Sequence, residues 1–210
     1  MLITISRQFG AGGSAVARAV ADALGWRVVD NDLVDRVASR SGLSPQEVAA
    51  REERGPGFLE RLSRALVGAT PELLTTGEFP AAQELEEEDL VRTTESVVAE
   101  LAEQGEMVLV GRAAAAVLGQ RKDALHVRLV ADKAFRVEVA ARRLGVDTRE
   151  ATRIVEQTDT QRERYHREYY GRDWDDPLHY HMVLNTGWLG FDGAADLVVA
   201  QARRMGAGRA

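Results

Sequence analysis

The chain has 210 residues, of which 45% are hydrophobic and 29% charged, and its formal net charge is −6 at neutral pH. This composition is typical of a globular protein with a sizeable core, and the length predicts one domain. The acidic balance argues against nucleic acid as a partner. The sequence contains no cysteine, which excludes disulfides, zinc–thiolate sites and thiol nucleophiles and fits the cytoplasmic location that we expect. No run approaches about 18 uncharged apolar residues, so we expect no association with a membrane.

The first half of the chain begins with a strand and a glycine-rich turn. Residues 2–6 are apolar and β-branched, which predicts a buried strand rather than a signal peptide. A glycine cluster follows at 10–13, and residues 14–24 have the periodicity of a helix that Gly25 ends. The next predicted elements are a strand at 27–30, a helix at 31–41, a helix start at 44–47, a loop at 68–80 and a helix from 84 to 104. The acidic start of that last helix favours a solvated surface over a partner-binding patch.

The second half alternates strands and helices. We predict strands at 107–110, 125–131 and 180–185, and helices at 133–144, 148–170 and 192–205. Apolar strands that alternate with helices indicate a parallel sheet covered by helices on both faces. Because ligands of such sheets bind beyond the carboxyl ends of the strands, the residues that follow each strand are the candidates for function.

The segment RQFGAGGS, after the first strand, nearly matches the phosphate-binding pattern G-x-x-x-x-G-K-[ST]. In this alignment Arg7 stands at the first glycine and Gly12 at the second, while Gly13 replaces the lysine and Ser14 matches the metal-binding hydroxyl. Backbone N–H groups at the start of a helix favour an anion. The alternative is a plain glycine-rich turn between a strand and a helix.

Arginines are the other candidates. Arg112 closely follows the strand at 107–110, where a guanidinium suits bidentate phosphate binding, and an ordinary surface arginine is the alternative.

Residues 142–172 are rich in arginine. Interleaved acidic residues fit a solvated helix, and the alternative is a lid that closes over transferring phosphates. The aromatic residues at 165–174 favour packing over base stacking, and we expect His126 in the core.

Five segments resemble, in order, those of the cytidylate kinase-like family, relatives of bacterial cytidylate kinase among the P-loop nucleoside monophosphate kinases. They are ITISRQFGAGGSAVARAVADALGW, VVDNDLVDR, VLVGRAAAAVL, DTQRERYHREYYGRDW and YHMVLNTGWLG. The resemblance extends over nearly the whole chain. It implies an α/β, three-layer P-loop kinase fold whose five-stranded parallel sheet has the order 2-3-1-4-5. It further implies one domain, residues 1–210, with a helical insertion of the nucleoside-monophosphate-binding type at 31–105 and a lid at 146–170.

The activity implied by the resemblance is phosphorylation of a nucleoside monophosphate, CMP or dCMP, with ATP and Mg²⁺ as cofactors. The donor's phosphates would lie in the loop, with Ser14 near the metal, and the loop residues are Gly10, Ala11, Gly12, Gly13, Ser14 and Ala15. The acceptor would be bound by Asp30, Arg36, Arg112, Asp159 and Arg162. Among these, the resemblance implies that the three arginines bind the acceptor's phosphate and that Asp159 binds its cytosine.

Three positions depart from the family's pattern, the first of which is Arg7 in place of the loop's first glycine. Gly13 removes the lysine that bridges the donor's β- and γ-phosphates, and Ala113 removes the aspartate of a G-R-D motif. A contact of this oxyanion-stabilising kind is worth about 2.7–4 kcal/mol, so loss of the lysine should slow transfer unless another cation replaces it. Arg7, at the mouth of the loop, is the candidate, and Arg18 is a weaker one because we expect it to point outward. The predicted catalytic residues are therefore Arg7, Arg112 and Arg162.

Two alternatives accompany this interpretation. The first is a catalytically degenerate protein that binds a nucleotide and acts as a regulator or scaffold, which the missing lysine favours. The second is a kinase of another small acceptor, whose hydroxyl group Asp30 and Asp32 would bind.

Overall fold

The computed structural model describes residues 1–30, 87–111 and 113–207. The chain divides into two compact units, of which the first comprises Met1–Asp32 and Val98–Ala210 and the second Leu33–Val97. The described part of the second unit, residues 87–97, is helical. The predicted elements at 31–41, 44–47 and 68–80 lie outside the described residues.

The first unit is built on a five-stranded sheet in which every neighbouring pair of strands is parallel, in the order β2-β3-β1-β4-β5. Both the parallel sheet and its implied order are thereby confirmed. The central strand β1 is buried along its whole length, as its apolar sequence predicts. The strands are β1 (Leu2–Arg7), β2 (Arg27–Asp30), β3 (Met107–Val110), β4 (Ala124–Val130) and β5 (Met182–Asn185).

Helices cover both faces of the sheet. The described helices are α1 (Gly13–Leu24), α2 (Glu87–Gln104), α3 (Ala114–Val117), α4 (Lys133–Leu144), α5 (Thr148–Tyr170) and α6 (Thr186–Arg204). Side chains of α1 and α6 pack on the face that carries Ile3 and Ile5. The end of α2 and the short α3 pack on the opposite face, around Leu2. Helices α4 and α5 pack against each other through a separate small apolar cluster. None of the helices described is long and apolar enough to cross a membrane.

The final helix differs from the predicted one in where it begins. It starts at Thr186, six residues before the predicted start at Asp192, because the side chain of Asn185 caps it by accepting hydrogen bonds from the N–H groups of Gly187 and Trp188. Gly190 then interrupts the helical backbone with a φ of 70°. Because the helical backbone is interrupted at Gly190, the sequence shows the pattern of a second helix N-terminus at Asp192.

The segment after β3 was predicted only as the position of an arginine, and it also contains α3. Its N-cap, Ala113, has a φ of 50°, in the left-handed region that L-residues with a Cβ rarely adopt. Gly111, two residues earlier, has a φ of 80°. Two left-handed residues so close together turn the chain sharply at the carboxyl end of β3, which is where ligands of parallel sheets bind.

Candidate phosphate-binding site

The loop between β1 and α1 is held from two sides. A Cβ added to Gly10 would lie 2.4 Å from the carbonyl oxygen of Arg136, and one added to Gly12 would lie 2.2 Å from the ring of Phe191. Both glycines also have positive φ angles, 84° and 79°. Glycine is therefore required at both positions by backbone conformation and by contact. The turn therefore packs closely against the backbone of α4 and a side chain of α6.

The loop leads into a helix start that suits an anion. Helix α1 has 12 residues, and its first turn carries no acidic side chain. The positive end of its dipole is therefore not opposed by a local carboxylate. Ser14, the predicted metal ligand, is buried at the second helical position. Ala15, predicted to bind the cofactor, has an exposed side chain and donates its N–H to the carbonyl oxygen of Gly12.

Arg7, the last residue of β1, is only 8% exposed. A Cβ added to Gly13 would lie 2.7 Å from the Cγ of Arg7, so the stem of this side chain passes over Gly13. Its guanidinium lies against Gly111, where an added Cβ would be 2.1 Å from Nη1. The charge of Arg7 is thus placed beside the loop, at the carboxyl ends of β1 and β3. The side chain of Arg18, by contrast, is exposed and is not buried beside the loop.

An ion pair between α4 and α5 holds the loop at Phe9. The Oδ1 of Asp159 accepts the backbone N–H of Phe9 at 2.8 Å, and Nη1 of Arg136 donates to the Phe9 carbonyl oxygen at 3.2 Å. The two side chains also pair with each other, Nη1 to Oδ2, at 2.5 Å. Asp159, which the resemblance assigns to cytosine, is therefore engaged with the loop backbone through one oxygen and with Arg136 through the other. The contact of Asp159 with cytosine stays a prediction.

Arg162, one turn beyond Asp159, also contacts the residues that precede the glycines. Its Nη1 donates to the carbonyl oxygen of Arg7 at 2.9 Å. Its guanidinium carbon lies 5.8 Å from the ring centroid of Phe9, and that of Arg143 lies 4.7 Å from it. Two arginines of the arginine-rich segment 142–172 thus converge on the loop.

Several other arginines of residues 142–172 fit the solvated-helix interpretation instead, because they pair with glutamates of their own helix on the surface. These pairs are Arg142–Glu138, Arg153–Glu150, Arg164–Glu168 and Arg167–Glu163.

A buried arginine that the sequence analysis missed lies below the loop. Arg128, in β4, is 1% exposed and pairs with Asp175. Its guanidinium carbon is 4.0 Å from the ring centroid of Trp174, and its Nη1 donates to Ser6 Oγ at 3.3 Å. The indole Nε1 of Trp174 donates to the same oxygen at 3.0 Å. Trp174 therefore packs against a buried cation. The signal in the sequence was an arginine inside an otherwise apolar strand.

Two further buried polar side chains are histidines, one in β4 and one in α5. His126 is 2% exposed, as predicted for a core residue, and its Nδ1 shares a 2.8 Å hydrogen bond with Thr4 Oγ1. Burial, followed by the charges of His181 and Arg172, lowers the pKa of His126 to about 4. Burial, followed by the positive charges of Arg172 and Arg128, likewise lowers the pKa of His166 to about 4. Both side chains are neutral at pH 7.

The remaining predicted acceptor residues are placed as follows. Asp30 is the last residue of β2 and is half-buried. Arg36 and Arg112, like Asp32, lie outside the described residues. The described structure therefore brings together the loop, Arg7, Asp159 and Arg162.

Solved structures with a similar fold include two kinases. A gluconokinase from Sinorhizobium meliloti superposes with a TM-score of 0.54 at 14% sequence identity and covers 97% of this chain and 91% of its own. A shikimate kinase from Bacteroides thetaiotaomicron gives 0.50 at 15% identity, with 98% and 97% covered. An uncharacterized protein from Eubacterium ventriosum gives 0.67 at 21% identity, with 97% and 98% covered. These likenesses and the order of the sheet show the P-loop kinase fold.

Sequence comparison gives the family. The chain is 26% identical over 207 residues to a cytidylate kinase of Methanothrix thermoacetophila, covering 98% of this chain and 99% of that protein. It is 34% identical over 95 residues to a cytidylate kinase of Methanopyrus kandleri, covering 41% and 49%. A model of the cytidylate kinase-like family matches residues 2–187. The chain therefore belongs to the cytidylate kinase-like family.

Proposed function

We propose that this protein transfers a phosphoryl group from Mg-ATP to a nucleoside monophosphate, with CMP or dCMP as the acceptor. The observation that carries the proposal is the buried side chain of Arg7, which extends over Gly13 to Gly111 and puts a positive charge beside a loop that lacks its lysine. Membership of the family supports the reaction class. The names of the two relatives support the acceptor.

The residues of the loop fit the phosphates of a nucleotide. The turn through Gly10 and Gly12 delivers the chain into α1, whose N-terminal N–H groups and dipole favour an anion. The hydroxyl of Ser14 occupies the motif position of a magnesium ligand. Mg-ATP, when bound, would supply the phosphoryl group and part of the positive charge that its transfer needs.

We assign to Arg7 the charge neutralisation that the missing lysine would otherwise provide. Phosphoryl transfer requires positioning and charge neutralisation more than covalent help from the protein. A guanidinium already buried at the carboxyl ends of β1 and β3 provides charge with little reorganisation during the reaction. Arg162 supports Arg7 by donating a hydrogen bond to its carbonyl oxygen. Arg36 and Arg112 are proposed as ligands of the acceptor's phosphate on the family resemblance alone.

The direct test is to incubate the protein with Mg-ATP and each nucleoside monophosphate separately and to resolve the products by chromatography. We expect ADP and the acceptor's diphosphate in equal amounts with CMP or dCMP, and no diphosphate when EDTA removes the metal.

The two alternatives give different results when the same assay is also run with small hydroxyl compounds in place of the nucleoside monophosphate. ATP binding without turnover of any acceptor would indicate a nucleotide-binding regulator or scaffold. ADP formed only in the presence of a small hydroxyl compound, and with no nucleotide acceptor, would indicate a kinase of another class of acceptor. Either result overturns the proposal.

A further inference from the structure

Phe9 is held by both of its backbone polar groups, and both partners belong to one partly buried ion pair. Asp159 accepts its N–H and Arg136 donates to its carbonyl oxygen. Arg136 is 8% exposed, and the side chain of Asp159 is 19% exposed. Hydrogen bonds to ionised partners are about twice as strong as neutral ones, and limited solvent access strengthens them further. The two hydrogen bonds to the backbone of Phe9 are therefore expected to be strong.

The backbone of the same arginine also lies close to the next residue of the loop. The carbonyl oxygen of Arg136 lies where it would be 2.4 Å from a Cβ on Gly10. Its guanidinium is in turn oriented by Nε, which donates to the carbonyl oxygen of Ala131 at 3.0 Å. A single residue of α4 thus holds Phe9 by a hydrogen bond and leaves no space for a side chain at the next residue, Gly10. Asp159, on α5, completes the arrangement.

We propose that Arg136 and Asp159 are positioning residues that hold the loop in its phosphate-binding shape and so determine the affinity for ATP. This inference rests on the proposed function for the identity of the bound nucleotide. It gives Asp159 a role different from the one implied by the family resemblance, which is recognition of the acceptor's base. The difference follows from the contacts of Asp159, because one oxygen faces the loop backbone and the other faces Arg136.

The two roles of Asp159 predict that different ligands lose affinity when its carboxylate is removed. In the Asp159→Ala variant, we expect the dissociation constant for ATP, measured by titration calorimetry, to rise about tenfold or more, because a charge-assisted hydrogen bond to the loop is lost. The dissociation constant for CMP should stay within about twofold. If CMP binding weakens while ATP binding is unchanged, Asp159 reads the base and the proposal is wrong.

Two further variants sharpen the comparison. Asp159→Asn keeps an oxygen that can accept the N–H of Phe9 but turns an NH2 group towards Arg136, so it should recover part of the ATP affinity lost in Asp159→Ala. Glu168→Ala removes a carboxylate of the same helix that pairs with Arg164 on the surface, and it should bind ATP as the unaltered protein does. An Asn variant as weak as the Ala variant would contradict a role that depends on this hydrogen bond.

Amide hydrogen exchange tests the inference without relying on catalysis or on ATP. In Asp159→Ala, the peptide that covers residues 8–14 should exchange faster, while peptides from β1 and β4 keep their rates. Unchanged exchange in the loop would overturn the inference even in a protein with normal kinase activity. Faster exchange throughout the sheet would also overturn it, because the pair would then stabilise the fold as a whole. If the unaltered protein binds no ATP but the loop responds, the proposed function fails and the positioning role stands.

Discussion

The side chain of Arg7 occupies the space into which a side chain on Gly13 would extend: a Cβ added to Gly13 would lie 2.7 Å from the Cγ of Arg7. The two positions correspond to the first glycine and the lysine of the usual phosphate-binding loop. A lysine at residue 13 and an arginine at residue 7 therefore exclude each other in this arrangement. The chain carries its cation at the end of the strand instead of at the start of the helix.

Removing the charge of Arg7 should slow catalysis strongly. For Arg7→Ala we expect kcat/KM to fall about 100- to 1,000-fold, the usual effect of losing one group that stabilises the charge of a transition state. The measurement is steady-state formation of the nucleoside diphosphate, with circular dichroism to check the fold. Arg18→Ala is the matched control, because Arg18 lies one helical turn beyond the loop and is exposed. Equal rates for Arg7→Ala and Arg18→Ala would reject the role of Arg7.

The stability of the fold should depend on pH through His126 and His166. Each has a folded-state pKa of about 4, well below the ordinary value of about 6.5. The unfolded chain therefore binds protons first as the pH falls. Stability should be fully present above pH 6.5 and be lost towards pH 4, by at most about 1.4 kcal/mol per pH unit for each histidine.

Urea unfolding between pH 4 and pH 7.5 measures this dependence. The His166→Gln variant should show a shallower loss of the free energy of unfolding over the acidic part of the range, because one of the two buried histidines with a lowered pKa is gone. A slope identical to that of the unaltered protein would show that His166 does not titrate as described.

Asp175 should contribute to stability through its contact with Arg128. In Asp175→Ala the buried guanidinium loses its carboxylate, and leaving a buried charged group without such a partner costs about 1–3 kcal/mol. The free energy of unfolding in urea should fall by that amount. Glu138→Ala, which removes an exposed partner of Arg142, provides the comparison and should change stability by less than about 0.5 kcal/mol. Equal stabilities for the two variants would contradict the structural role of Asp175.

Local sequence patterns predicted the sheet and most of the helices of the first unit. Apolar β-branched runs such as β1 and helix-ending glycines such as Gly25 are patterns of a few neighbouring residues. They can therefore be recognised without knowledge of the tertiary structure. The start of the last helix was placed at Asp192 because Gly190 interrupts a helix that Asn185 had already capped. The helix α3 has only four residues, too few for a periodicity to be visible.

The contacts of the site depend on residues far apart in the chain, and no local pattern reveals them. Phe9 and Asp159 are 150 positions apart, and Phe9 and Arg136 are 127 apart. Arg136 went unnoticed because an arginine in a helix is ordinarily at the surface. The resemblance brought Asp159 and Arg162 to attention, but only the structure places them on the backbone of the loop.

The central claim is that Arg7 supplies the charge that the loop lysine supplies elsewhere, and exchanging the two solutions tests it most directly. The double variant Arg7→Gly/Gly13→Lys has the full G-x-x-x-x-G-K-[ST] pattern and removes the overlap between residues 7 and 13. The rate of phosphoryl transfer from Mg-ATP to CMP is measured for this variant and for both single variants. We predict that each single variant is slow, the first for lack of charge and the second because of steric overlap, and that the double variant is faster than both. A double variant as slow as Arg7→Gly, or an Arg7→Gly variant as fast as the unaltered protein, would contradict the claim.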